Sequence, residues 1–380
     1  MLTFEDIKKI PEAKESMTPR KRVLSALAGE RVDRPPAASV TSLATLEQMK
    51  QTGAWFPDVH LDGEKTAALA AANHDILGFD TVVPYFGLML EASALGTNVK
   101  WGKVMPNKDI TMPYAPPQDL ESFKDPEQVN IPEDFLEKPA TRSLLEALSI
   151  LKERYGDKVA IVGKAMGPWT LAYHLVGTEK TLLMLRSDPG KLHRFMEVFK
   201  EITIIFANAQ AEAGADLVCI PDHATGDMVA PSVYKDYLHE IHKEMNKKIK
   251  SPTVLHCCGY TLDRMQHITN EGFVAYHFES KNNAPNSTKI CGDELNLWGN
   301  INNPQTLAYG SLDDVVREAV YALQAGVRLV GPECAIPTMV SNDKLRAVVE
   351  VAKRFPNMNE MELLKSEHDP AGTPPLKFIE

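Results

Sequence analysis

The sequence predicts an α/β chain in which eight short strands, nearly all separated by helices, close into a (β/α)8 (TIM) barrel. Strand-like apolar runs recur near residues 38, 83, 161, 218, 254, 276, 298 and 328, and strands that alternate with helices pair in parallel. Eight such units close on themselves and carry their active residues at the strand C-termini. Polar and thiol side chains do follow most of these runs. A doubly wound open sheet is the competing architecture, but the chain has no Gly-x-Gly-x-x-Gly turn and no phosphate loop.

In chain order, residues 1–17 read as an N-terminal extension, charged and weakly patterned, with a short helix on the outside. Thr18-Pro19 is an N-cap followed by a first-turn proline, and the helix runs to about residue 30 with Val23, Leu24 and Leu27 on one face. Pro35-Pro36 precedes the first strand, 37–40. Helical segments over 41–51 and 63–77 lead to the second strand, 81–85. From 86 to 139, Trp101 and prolines at 106, 113, 116, 117, 126 and 132 break every pattern, which predicts an irregular insertion after strand 2, a hairpin with long loops. A stretch this long without regular structure serves as a lid or a docking surface.

Regularity returns at residue 141. Helices are expected over 141–155, 190–214, 231–250, 262–271, 312–325 and 342–354, and strands over 159–163, 216–220, 253–256, 273–278, 297–300 and 327–330. The barrel domain thus spans 18–355. A proline-containing tail, 356–380, wraps the domain or hangs loose.

Bulk properties narrow the function classes. The 380 residues are 44% hydrophobic and 24% charged, ordinary for a soluble globular protein. The net charge of -10 argues against nucleic acid and against an anionic membrane surface. No apolar run approaches the roughly 18 residues of a membrane span, and no signal-peptide pattern is present. Five cysteines in so long a chain are not a disulfide framework, so a reducing, cytoplasmic setting with free thiols is expected.

Those thiols matter most in Thr253-Val-Leu-His256-Cys257-Cys258-Gly259. On a strand, successive side chains alternate faces, so His256 and Cys258 point one way and Cys257 the other. A third thiol, Cys334, follows the last strand in Gly331-Pro-Glu-Cys334. His256, Cys258 and Cys334 make three ligands of a tetrahedral zinc site, and Glu279, just past the next strand after His256, is the candidate weak fourth. Three firm ligands and one exchangeable one mark a catalytic zinc rather than a structural one. Two thiolates neutralise the metal's charge, which disfavours water activation and favours an incoming thiol, deprotonated yet still nucleophilic. That suits alkyl transfer to sulfur. Cys257, Cys219 and Cys291 are read as packing residues.

The residues also carry a resemblance. Thr18-Pro-Arg-Lys-Arg-Val-Leu-Ser-Ala-Leu-Ala-Gly-Glu with Val32-Asp33-Arg34-Pro35, and Gly299-Asn300-Ile301 further on, resemble the uroporphyrinogen decarboxylase superfamily. Within it, Ala71-Ala72-Asn73-His74-Asp75, Ala213-Gly214-Ala215-Asp216, Val254-Leu255-His256-x-Cys258-Gly259 and the segment around Cys334 are most similar to the methylcobamide:coenzyme M methyltransferases. The resemblance covers about residues 18–355. It implies zinc on the positions of His256, Cys258 and Cys334, with Glu279 completing the resting shell, and a methyl group passed between a corrinoid protein and a thiol. The metal-free decarboxylase branch has an Arg-Gln-Ala-Gly-Arg motif, absent here.

Further strand-end residues are candidates for the same mouth. Asp222 is expected to orient the metal-bound substrate or to cap its loop, with His223 beside it on the rim. Lys164 and Met166 are expected to line a pocket against the corrin face, with Tyr85 and Asn300 as polar contacts. The corrinoid signature Asp-x-His-x-x-Gly is absent, so a corrinoid (cobalamin) must arrive on a partner protein. The other partner is a small-molecule methyl acceptor or donor: coenzyme M first, or a pterin, or a methoxylated aromatic whose methyl group passes to cobalt(I). The expectation leaves room for a homodimer.

Overall fold

Seven parallel strands, paired in sequence order, form the sheet in this computed structural model, which describes residues 2–103, 110, 112–115, 119 and 122–359. They are β1 (Thr81–Val82), β2 (Ala160–Lys164), β3 (Leu217–Pro221), β4 (Thr253–Cys257), β5 (Ala275–Phe278), β6 (Asn296–Ile301) and β7 (Leu329–Pro332). The sheet is curled, and one segment of chain is bonded to both of its edges. Ala37 bridges Val330, with Ala38 N–H donating to the Val330 carbonyl at 2.9 Å. On the other side Asp80 N–H donates to the Ala37 carbonyl at 2.8 Å.

The strand expected over 37–40 is therefore reduced to a single bridge. Pro35 and Pro36 bring no amide, and the hydroxyls take over the bonds that a ladder would use. Thr81 Oγ1 accepts from Ser39 N–H and donates to the Ser39 carbonyl, and Ser39 Oγ donates to the Thr41 carbonyl. The second expected strand also stops short, at Val82, because Pro84 offers no donor. Gly331 faces the Ala38 carbonyl so closely that a Cβ there would collide with it.

Two apolar clusters separate the inner wall of the sheet from its outer, helix-covered face. Ala160, Val162, Leu217, Cys219, Val254, Ala275, Trp298 and Leu329 pack on the inside. Ile161, Val218, Ile220, Leu255, Cys257, Tyr276, Phe278 and Val330, their neighbours along the strands, pack outward against the helices. The longest helix, Pro189–Glu212, starts where Asp188 accepts from Lys191 N–H and Pro189 takes the first turn. The helix expected over 262–271 shrinks to Met265–Ile268, since the amides of Thr261 and Leu262 are held by Asn282 Oδ1 at 2.7 and 2.9 Å.

The N-terminal helix, Phe4–Lys9, is docked rather than loosely attached: Leu2, Ile7 and Ile10 are buried, and Phe4 N–H donates to Asp313 at 2.8 Å. Within 86–139 the described residues form a buried helix (Leu90–Ala94), an antiparallel bridge between Lys100 and Tyr114, and two 3-10 turns. Residues 104–109, 111, 116–118, 120 and 121 of that expected insertion, and the tail from residue 360, lie outside the described residues. No helix among the described residues is long and apolar enough to cross a membrane.

The Thr18–Pro35 motif has a structural use at the end of the sheet away from the thiols. Arg22 donates to Asp33 and Asp80 at 2.7 Å each, and Arg34 donates to Asp80 at 2.8 Å, all four side chains being buried. Asp80 thus serves two guanidinium groups. Asp80→Asn is expected to lower unfolding free energy by about 3 kcal/mol, because removing one partner strands a buried charge. Urea denaturation measures it, and a loss within experimental error would show that the cluster contributes little.

Candidate metal centre

The pleat of β4 sorts the soft ligands. Val254 belongs to the inner wall and Leu255 and Cys257 to the outer core, so His256 and Cys258 face the interior. Cys257 is buried among helix-facing residues, and burial pushes its thiol above the usual range. β7 ends at Pro332, and two residues later Cys334 reaches back across the mouth. Cys258 Sγ lies 3.2 Å from His256 Nε2, Cys334 Sγ lies 3.5 Å from the same nitrogen, and the two sulfurs are 3.1 Å apart without a bond.

These separations approach the roughly 3.5–3.8 Å edges of a tetrahedral shell with Zn–S near 2.3 Å and Zn–N near 2.0 Å. The proton placement suits a metal as well. His277 Nε2 donates to the Pro332 carbonyl at 2.9 Å, which leaves Nδ1 of that ring as an acceptor. His256 Nδ1 lies 2.7 Å from it and must donate. The remaining nitrogen of His256, Nε2, is then a bare lone pair aimed at the two thiols. Burial keeps both rings neutral, holding His277 down to about 4 and His256 well below the ordinary imidazole range. The sulfur contact lowers Cys334 below the usual thiol range and raises Cys258 above it. The donor set fits zinc.

Two groups stand beside the three donors. The Glu279 carboxylate accepts from Gly259 N–H, one residue past Cys258. His223, expected on the rim, sits closer in: its Nδ1 accepts from Cys258 N–H at 3.1 Å, its ring crosses His256 edge-on at 5.4 Å, and ligand atoms of His223, His256 and Cys258 lie within 4.8 Å of one another. Burial lowers the pKa of His223 to about 4. Glu333 clamps the approach to Cys334, accepting from Ser280 N–H at 2.7 Å and Asn303 N–H at 2.8 Å.

The other predicted site residues have partners outside the three donors. Asp222 is fully buried, and its oxygens are taken by Thr170 N–H at 2.8 Å and His242 at 2.9 Å. It caps the helix Pro168–Ala172 instead of facing the donors, and His242, between Asp222 and Glu271, has its pKa raised to about 9 by those carboxylates against the cost of burial. Tyr85 donates to Glu91 at 2.6 Å, and Met166 is buried with its N–H on the same carboxylate at 2.8 Å. Asn300 is buried, its amide 3.4 Å from the Asn282 carbonyl. Lys164 stands under the ring of Tyr85. The sequence expectations omitted His277, although strand alternation puts Ala275, His277 and Glu279 on one face and register pairs His256 with His277.

Known proteins match this chain over most of its length. The uroporphyrinogen decarboxylase (URO-D) family model matches residues 18–355. A methylcobamide:CoM methyltransferase of Methanosarcina barkeri is 31% identical over 341 residues, 89% of this chain and 98% of that one. A methylated-thiol–coenzyme M methyltransferase of Methanosarcina mazei is 27% identical, covering 90% of each chain. A solved methyltransferase from Methanosarcina mazei superposes with a TM-score of 0.84 at 31% identity, over 90% of this chain and 99% of that one. The chain belongs to the uroporphyrinogen decarboxylase family.

Proposed function

We propose that this methyltransferase passes a methyl group between a corrinoid carried by a partner protein and a small thiol, with zinc held by His256, Cys258 and Cys334. Coenzyme M is the thiol named for its relatives. The observation that carries the proposal is the meeting of an unprotonated imidazole nitrogen and two thiols, from β4 and the end of β7, within 3.1–3.5 Å. In the same reading, the segment around Ala37 acts as the eighth strand of a (β/α)8 barrel spanning 18–355, and residues 86–139 meet the corrinoid protein at its mouth.

Zinc bound here would supply the Lewis acidity that lets a thiol lose its proton at neutral pH while its sulfur stays nucleophilic. The remaining work belongs to side chains. His277 holds His256 with Nε2 bare, and Cys258 and Cys334 would hold the metal as thiolates. Glu279, whose carboxylate accepts from the Gly259 amide, would be the exchangeable fourth ligand. His223 and Glu333 fix the loops that carry Cys258 and Cys334. The acceptor sulfur then bonds to the methyl carbon, and the electron pair of the carbon–cobalt bond stays with the corrinoid. Fixing sulfur and methyl group in line is the main contribution of the protein to the rate.

The purified protein is expected to hold about one zinc per chain. His256→Ala, Cys258→Ala or Cys334→Ala should remove metal and methyl transfer from methylcobalamin together, with circular dichroism unchanged. Full activity in zinc-free Cys258→Ala protein would end the proposal. Glu279→Gln is expected to retain zinc while altering apparent thiol affinity, and zinc-edge X-ray absorption of the native protein should show an oxygen ligand lost and a sulfur gained when thiol is added. The same four protein ligands in both states would make the site structural. His277→Phe removes the acceptor that sets the His256 tautomer, and chelator competition should show zinc binding weakened by about 10- to 100-fold. Unchanged affinity would mean that His256 needs no such partner.

A further inference from the structure

Among the described residues, buried cations are answered by carboxylates, with one exception. Arg22 and Arg34 meet Asp33 and Asp80, Lys200 meets Glu197 and Glu244, Arg264 meets Asp263, and Arg354 meets Glu350 and Glu12. Among the described buried lysines and arginines, only Lys164 has no carboxylate within ion-pair distance. It is 2% exposed. Leaving an ammonium in such a place without a partner costs more than its cation–π contact returns.

The position of the side chain is well determined. Gln210 clamps its backbone, accepting from Lys164 N–H and donating to the Lys164 carbonyl at 2.8 Å each. Ala160 and Val162 lie on the inner wall, and Lys164 continues that face at the end of β2. Its Nζ rests 4.6 Å from the centroid of the Tyr85 ring, and that ring is held by the bond from its hydroxyl to Glu91. Glu91 does not serve as the missing partner, because its oxygens accept from Tyr85 and Met166 N–H, and burial raises its pKa toward the neutral acid. Lys164 makes no hydrogen bond to Cys258 or Cys334, yet it is in electrostatic reach of the whole centre. Burial lowers its own pKa, Cys219, Cys334, Glu91 and Cys258 partly offset that, and its charge depresses His223, His256 and His277.

We propose that the Lys164 ammonium, seated on the Tyr85 ring, binds an anionic end group of the acceptor, a sulfonate or a carboxylate, while the acceptor sulfur occupies the mouth between Cys258 and Cys334. Lys164 is then the residue that selects a short acidic thiol over a neutral one. This rests on the assignment of the centre as a thiol site, and it adds what recognises the other end of the molecule.

Three thiols and one thiol-free anion test it. The wild-type protein should favour 2-mercaptoethanesulfonate or 3-mercaptopropionate over 2-mercaptoethanol by at least about 10-fold in kcat/KM, and the better of the two acids identifies the end group. In Lys164→Met, which keeps the length of the stem, KM for the favoured acid should rise about 10- to 100-fold, the worth of one charged hydrogen bond. Its kcat, and the KM for 2-mercaptoethanol, should stay within about threefold. Calorimetry with ethanesulfonate should show binding to the wild-type protein and none to Lys164→Met. Equal losses with acidic and neutral thiols would make Lys164 a counter-ion of the thiolates and overturn the proposal. So would a wild-type protein with no preference for acids and no ethanesulfonate binding, an outcome that does not depend on the variant folding. Lys164-dependent ethanesulfonate binding without methyl transfer to any thiol would uphold the anion site and remove the methyl-acceptor assignment instead.

Discussion

The Pro332 carbonyl accepts a hydrogen bond from His277, and through that bond β7 dictates what a histidine on β4 presents to the mouth. A neutral imidazole has one donor and one acceptor, so fixing the proton on His277 Nε2 leaves His256 a single arrangement, with its own proton on Nδ1 and its lone pair on Nε2. The same carbonyl lies two residues before Cys334. The strand that sets the tautomer of one donor therefore also delivers another, and a shift of β7 would disturb both together. A carboxylate in place of His277 would have added a negative charge under a centre already holding two thiols. A neutral acceptor avoids that repulsion while still orienting the ring.

Much of this arrangement was readable from residue order. Alternation along β4 is enough to put His256 with Cys258 and to turn Cys257 away, because a two-residue period leaves no other choice when one face is packed on helices. The strand positions followed from the apolar runs for the same reason. What escaped was decided by partners distant in sequence. Residue order left Asp222 a choice between substrate and cap, and Thr170 and His242 decide for a cap, on a helix far off in sequence. His223 looks like its less important neighbour, yet it holds the Cys258 amide. The Ala37 strand failed because serine and threonine hydroxyls took over its backbone bonds, a competition that β propensity alone does not reveal.

Charge is distributed unevenly through the interior. Away from the thiols, Arg22 and Arg34 are locked against Asp33 and Asp80, so that end is electrostatically satisfied and serves stability. Near the thiols, His223, His256 and His277 are kept neutral by burial, and Glu333 is pushed up to about 7 by the same cause. Groups held near neutrality at the mouth can accept a doubly charged cation or an anion without first breaking an internal ion pair, whereas the closed cluster at the far end could not.

The segment around Ala37 is bonded to Val330 on one side and to Asp80 on the other. During synthesis the first of these partners emerges nearly three hundred residues after Ala37, so the outer side of that segment stays open for most of translation. An open sheet edge invites pairing with other chains. Here it is short and poor in donors: Pro35 and Pro36 supply no amide, β1 is two residues long, and Pro84 follows it. The brevity of pairing at this seam thus limits the edge that the incomplete sheet offers to other chains. It also means that Cys334, which follows the last strand, joins His256 and Cys258 only when the ring of backbone is about to be completed.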